Sequence, residues 1–246
     1  MRRNEGANNR GNKGRPKPCD TRAPALQQGF SDVRNTQDWA PGLQKSKAYD
    51  QILMDIILGI LPPNARLDEL GLADQYNLGV AGVRDALARL SLEGMVLRRP
   101  RSGTIVTSID VQEVQQSYEV RCLLEPHAAL LAAQQATAAE KEAILTAFDG
   151  AEAAAERRDF RAIIAMDQTF HRAVAIASHN LSLARIVISV HNKAARYWYH
   201  TMTLQPDEDC LEDIASHRVV AQAIARGDGR AAMQAMFVVM GEKNAG

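Results

Sequence analysis

Asp167 and His171 stand four residues apart in a run of helical apolar period, so one helix face carries a carboxylate and an imidazole side by side. That pair can close on one metal ion, and His217, from a later helix, is a candidate third ligand. The plainer reading of Asp167 and His171 is a hydrogen-bonded pair one turn apart. Arg121 and Glu125 repeat that spacing with opposite charges. A guanidinium on an otherwise apolar helix face needs an anion. Glu125 can supply it within the helix, or the planar fork can grip the carboxylate of a small ligand. Asn192 and Arg196, with His191, are further candidates for such a ligand pocket. Tyr197-Trp198-Tyr199 reads as pocket wall, core or dimer contact. The remaining chemistry is arginine: Arg84 one turn into a short helix, and Arg98, Arg99 and Arg101 around a turn ending at Gly103, where a backbone can approach a polyanion closely.

These groups segregate along the 246 residues. Lys+Arg and Asp+Glu balance at 29 each, yet residues 1–108 hold 16 basic against 11 acidic side chains and residues 109–246 hold 13 against 18. All six histidines (His127, His171, His179, His191, His200, His217) fall in the acidic half. A basic half suits nucleic acid, and an acidic half rich in histidine suits a small ligand or a metal. Three widely spaced cysteines (Cys19, Cys122, Cys210) imply no disulfide framework. No apolar run approaches the roughly 18 residues of a membrane span, and the basic N-terminus lacks an apolar signal core. The expectation is a cytoplasmic protein with no membrane partner.

Positioning these residues requires two domains behind a tail. Residues 1–43, rich in Asn, Gly, Arg, Lys and Pro, read as a disordered basic tail. Within it Lys13-Gly14-Arg15-Pro16-Lys17-Pro18 resembles the core of an AT-hook, whose extended Arg enters a narrow minor groove; the plainer reading is phosphate attraction alone. Residues 44–108 read as a winged helix-turn-helix. Tyr49, Ile52, Leu53, Ile56, Ile57 and Ile60 make a first helix stopped by Pro62-Pro63. Leu67, Leu70, Leu72 and Ala73 mark a second. A third runs from about Val80 to Glu93, closed by Gly94 as a left-handed cap. A basic hairpin follows it. Residues 109–246 are helical throughout. Asp110, Thr137 with Glu140, Asp159 and Pro206-Asp207 open successive helices, Asn180 separates two of them, and a sixth starts near Arg230. The fold class is mainly α: a winged helix-turn-helix followed by a six-helix antiparallel bundle.

Arg66-Leu67-Asp68-Glu69, Leu72-Ala73, Val83 to Leu90, Glu93-Gly94-Met95-Val96 and Arg101 to Val106 carry, at matching spacing, a resemblance to the DNA-binding domain of the GntR family of bacterial regulators. Arg121 with Leu124-Glu125, Asp167 with Phe170-His171, Asn180, His217, Ala223-Ile224 and Gly227-Asp228 likewise resemble the FCD effector domain of one GntR subfamily. The resemblance implies contacts to double-stranded DNA from Gly79, Val80, Ala81, Arg84, Arg98, Arg99, Arg101 and Gly103. The family's usual Ser-Arg-Thr-Pro-like segment is replaced by Gly79-Val80-Ala81-Gly82, so the ordinary hydroxyls and first specificity arginine are absent. It also implies a divalent metal such as zinc held by an Asp and three His. Asp167, His171 and His217 take three of those places, and Val239 takes the fourth and cannot coordinate. Two readings stay open: a three-ligand metal site completed by water or effector, or direct effector binding without metal.

The resulting expectation is a homodimeric transcriptional regulator whose operator affinity responds to a small acidic metabolite. Two rivals are a metal-dependent hydrolase built on Asp167, His171 and His217, and a low-specificity architectural DNA binder.

Overall fold

In a computed structural model of the chain, residues 43–99, 103–202 and 207–242 are described. The expected tail with its Lys13–Pro18 motif, Cys19 and the wing residue Arg101 lie outside them.

The first helix, α1 (Leu43–Ile57), buries Tyr49, Ile52, Leu53, Ile56 and Ile57, all on one stripe at 3.6-residue spacing. It ends earlier than its apolar pattern suggests. Ile60 falls beyond it and is exposed, and Gly59 turns the chain at φ 68. Arg66–Leu67 is not helix but a two-residue strand, β1, and the second helix, α2 (Glu69–Gln75), begins only after Asp68 accepts the Gly71 N–H at 2.8 Å. Leu70 consequently points outward while Leu72 and Ala73 enter the core. The third helix, α3 (Val80–Leu92), packs on α1 through Val83, Ala86, Leu87 and Leu90. Burial of such Leu and Ile side chains stabilises by roughly 1.5–3 kcal/mol each. Gly94, at φ 76, ends α3 as expected: its N–H reaches Ser91 O and the Met95 N–H reaches Leu90 O, the paired bonds of a Schellman cap.

The wing is β2 (Val96–Arg99) and β3 (Gly103–Val106), antiparallel, with Arg99 opposite Gly103. β1 adds to the other side of β3, giving the order β1-β3-β2.

The second half is a helical bundle. Its helices are α4 (Val111–Gln135), α5 (Ala138–Leu145), α6 (Ala151–Glu156), α7 (Phe160–Ala177), α8 (Leu181–Met202), α9 (Asp207–Arg226) and α10 (Gly229–Glu242). Asp110, Thr137, Asp159 and Asn180 each accept an N–H from the first turn of α4, α5, α7 and α8 respectively. The single helix expected after Thr137 divides, because the chain turns after Leu145 and Gly150 sits at φ 82, a left-handed value that suits glycine. α6 is thus an addition to six principal helices. α4 runs through the middle of the bundle, touching α7, α8, α9 and α10, with Ala128, Ala129, Ala132 and Ala133 allowing close approach. α8 packs on α4 and α7 and also reaches α1, so one helix serves both domains.

Candidate functional site

α4, α7, α8 and α9 each send polar side chains into the middle of the bundle, where apolar packing would be the default. α4 contributes Arg121 and Glu125, α7 Asp167 and His171, α8 His191, and α9 His217. All six are buried. Phe148 and Phe170 wall the cluster with rings 5.1–5.3 Å from those of His171 and His217.

The hydrogen bonds fix which nitrogen of each histidine faces inward. His217 Nδ1 lies 2.6 Å from the Asp213 carbonyl, which only accepts, so Nδ1 carries the proton. His171 Nδ1 faces the Glu125 carboxylate. Burial alone would raise the Glu125 carboxyl, but Arg121 and then His171 hold it well below the usual carboxylate range, so it accepts from His171. Both rings therefore present Nε2 to the same point, and the two Nε2 atoms are 3.0 Å apart. Asp167 Oδ1 is 3.5 Å from the first and 3.6 Å from the second.

Two imidazole lone pairs and a carboxylate oxygen facing one another require a positive charge between them. Either a proton on His171 or a metal ion supplies it. Burial opposes the protonated form, and the Glu125 and Asp167 carboxylates outweigh that and raise the His171 pKa, the same demand expressed with a proton. The three separations also suit a metal. A point equidistant from Asp167 Oδ1 and the two Nε2 atoms lies about 2 Å from each, the length of a Zn–N or Zn–O bond. Glu125 and the Asp213 carbonyl hold the rings from behind, as outer partners of metal-binding histidines do. The donor set therefore fits a divalent ion. Val239 is buried on α10 and brings no donor atom to this set, and a second group that could hold an ion, Glu125, His171 and His191, shares His171 with it.

Arg121 pairs with Glu125 at 2.5 Å, the within-helix partner its spacing offered. Its Nη2 is buried without a hydrogen-bond partner, a donor still available to an anion. His191 lies with Nε2 3.1 Å from Asp167 Oδ2 and its ring 4.4 Å from that of His171. Burial, then the charges of Arg121 and His171, push its pKa down to about 4, so it is neutral.

Asn192 and Arg196 face away from the Asp167 cluster. Asn192 Nδ2 donates to Tyr49 Oη and Glu93 Oε2, both at 3.1 Å, and Arg196 donates to the Thr107 carbonyl at 2.7 Å. Both face the first domain, because α8 turns that side toward α1 and the linker. Tyr197, Trp198 and Tyr199 are partly buried, with Trp198 and Tyr199 packed against the core. The role of His191 beside Asp167 was only weakly visible in sequence. The backbone partner of His217 was legible only as an i, i+4 relation to Asp213.

On the first domain, Gly79 and Ala81 are exposed and Val80 partly so at the start of α3, and Gly79 offers no side-chain cap. Arg84, Arg98 and Arg99 are exposed. Glu69 meets two of them, Arg84 Nε at 2.9 Å and Arg98 Nη2 at 3.7 Å. Gly103 holds φ 85 at the wing. Among the described residues no helix is long and apolar enough to cross a membrane, and Cys122 and Cys210 are in no disulfide.

Residues 44–106 match the family model described as bacterial regulatory proteins, gntR family, and residues 116–241 match the FCD domain. The chain is 30% identical over 217 residues to the uncharacterized HTH-type transcriptional regulator YieP of Escherichia coli, covering 78% of this chain and 91% of YieP. It is 29% identical over 191 residues to a probable D-xylose utilization operon transcriptional repressor of Paenarthrobacter nicotinovorans, covering 78% and 83%. Among solved structures, E. coli McbR/YncC is similar in fold, with TM-score 0.71 at 19% identity, covering 83% of this chain and 97% of that one. These relatives are regulators of transcription, not enzymes, which removes the hydrolase alternative.

Proposed function

The chain belongs to the GntR family of bacterial regulatory proteins, with an FCD domain behind its DNA-binding domain, and from that premise we propose that a small carboxylate-bearing metabolite controls its affinity for an operator. The regulator acts as a homodimer in the cytoplasm, residues 44–108 meeting DNA and residues 109–246 sensing. Arg84, Arg98, Arg99 and Arg101 neutralise phosphates or reach guanine edges. Gly79, Val80 and Ala81 bring the start of α3 close to the groove, and Gly103 does the same for the wing.

The observation that carries the sensing half is the convergence of Asp167 Oδ1 with the Nε2 atoms of His171 and His217 at 3.0–3.6 Å. These three atoms would hold one divalent ion such as zinc. Once bound, the ion supplies a localised positive charge with coordination positions left open for a ligand carboxylate. Glu125 keeps the His171 ring in its binding tautomer, and the Asp213 carbonyl does so for His217. Arg121 adds a donor in Nη2, which a second oxygen of an acidic ligand can accept. The buried setting excludes water, so these charges act at low dielectric and favour anions over neutral compounds.

Metal analysis tests this reading, combined with melts of EDTA-treated protein in added Zn²⁺. One equivalent of metal per chain is expected. Stabilisation of roughly 2.7 kcal/mol is expected when free metal is a hundredfold above Kd, and it should vanish in His217→Ala. Protein that takes up no metal but is stabilised by small acids would instead support an effector pocket built on Arg121 alone.

A further inference from the structure

Consecutive residues of α8 belong to different sites. The His191 ring faces Asp167 in the bundle, at 3.1 Å, and stacks near His171. The next residue, Asn192, faces the DNA-binding domain and donates to Tyr49 Oη and Glu93 Oε2. Glu93 is the C-cap residue of α3, the helix assigned to DNA in the reading above. It also accepts from Tyr49 Oη at 2.6 Å and from Arg89 Nε at 3.0 Å, while the Arg89 guanidinium lies 3.6 Å from the Tyr49 ring centre. One turn further along α8, Arg196 donates to Thr107, whose Oγ1 donates in turn to the carbonyls of Gly94 and Met95. α8 thus grips the C-terminal end of α3 at Glu93 and at the Gly94 cap.

We propose that the His191–Asn192 step of α8 is the relay through which occupancy of the Asp167 cluster sets the position of α3. The proposal rests on the metal reading given above. Neighbouring residues of a helix are fixed about 100° and 1.5 Å apart, so α8 cannot turn to let His191 follow Asp167 without swinging Asn192 by the same angle. A hydrogen bond tolerates only a few tenths of an ångström and loses strength steeply off axis. A small rotation therefore releases Asn192 from Tyr49 and Glu93, and α3 is freed to move with its cap.

Three buried polar atoms without a hydrogen bond fall at this step. Neither ring nitrogen of His191 makes a hydrogen bond, Nε2 being near Asp167 Oδ2 but poorly directed, and Asn192 Oδ1 also lacks a partner. Buried polar groups are nearly always hydrogen-bonded, so adjacent exceptions point to a second arrangement of α8 in which they find partners. Two packings of one rigid helix, each favouring a different state of the cluster, are what energetic coupling between distant sites requires.

The test is reciprocal linkage in the full chain, with Zn²⁺ as the bundle probe and a duplex selected from a random pool by the wild-type protein as the DNA probe. In the wild type, Zn²⁺ should change the DNA Kd by about fivefold or more, and DNA should change the Zn²⁺ Kd by the same factor. Asn192→Ala and the near-isosteric Asn192→Leu each remove the donor to Tyr49 and Glu93 while leaving every metal ligand in place. Both should keep the Zn²⁺ Kd within about threefold of wild type and reduce the linkage below about twofold. Asn192→Leu keeps the volume of the side chain, so it decides the question should Asn192→Ala fold poorly. Full linkage in a folded variant overturns the relay and leaves the metal site standing, as does a wild type that takes up Zn²⁺ with unchanged DNA affinity. A wild type that takes up no Zn²⁺ overturns the metal site and the relay together.

Discussion

Replacing Arg121 by Met isolates the cost of the charge at the centre of the bundle. Arg121 is 3% exposed and Glu125 1%, and their contact is 2.5 Å. Removing one partner of such a buried pair costs about 3–5 kcal/mol, because the survivor stays charged and desolvated. Met fills most of the volume of the arginine stem, so little cavity is added. His171 remains against Glu125 and relieves part of the strain, which places the expected loss near the lower end, about 3 kcal/mol. At roughly 2–4 °C per kcal/mol for chains of this size, the melting temperature should fall by about 6–12 °C. Glu125→Gln should cost a similar amount by stranding the guanidinium. The double variant should be less damaged than the two losses added, by about 1–2 kcal/mol, since no unpaired charge is left. Urea unfolding at pH 7 in EDTA, which keeps metal out of the comparison, measures all three. A loss below about 1 kcal/mol for Arg121→Met, or strict additivity in the double variant, would refute a buried pair that depends on both partners.

Two further outcomes follow from contacts at the surface. Glu69 lies between Arg84 and Arg98; exposed pairs of this kind are worth about 0.2–1 kcal/mol each, so Glu69→Gln should tighten DNA binding by about three- to tenfold in anisotropy titrations. Unchanged or weaker binding would show that these arginines do not face DNA. Glu140 closes the capping box of α5. Burial alone would raise its carboxyl, but bonds from the Thr137 backbone and from His179 hold it below its ordinary 4.5. A depressed carboxyl stabilises the fold at pH values above its unfolded pKa, and that contribution disappears as pH falls through the folded value. The stability gap between wild type and Glu140→Gln should therefore be about 1 kcal/mol at pH 7 and close progressively below pH about 4.5; a gap independent of pH would contradict the assignment.

Local signals in the chain predicted most of the elements. Apolar period placed α1 and α3, the left-handed glycine placed the end of α3, and Asp or Thr followed by the right first turn placed the starts of α4, α5 and α7. These features are settled within a few residues of backbone, where the competing physics is short-ranged. The misplacements have the opposite character. Arg66–Leu67 joins a sheet because β3 offers it hydrogen bonds, and nothing in two residues announces that partner. The break between α5 and α6 depends on one positive φ at Gly150, in a stretch whose alanines favour helix. Within the candidate site, residues sharing a helix were readable as pairs: Asp167 with His171, and Arg121 with Glu125. Across helices, His217 was joined to Asp167 and His171, and the other meetings were not readable. Glu125 behind His171 and His191 beside Asp167 are products of packing angle, and sequence gives no sign that the side of α8 bearing Asn192 and Arg196 is the one the other domain covers.

The turn of α8 that carries His191 and Asn192 also bears on how such regulators can be recombined. A chimera that joins this DNA-binding domain to another sensor cannot be spliced at the linker before α4 alone. Tyr49, Glu93 and Thr107 would then meet whatever a foreign helix happens to display, and a one-residue shift in register would present the wrong side altogether. The exchangeable unit is the first domain together with the α8 surface it touches. Homologous exchange between members of the family should succeed where that small patch is carried along or already shared, whatever the similarity elsewhere in the chain.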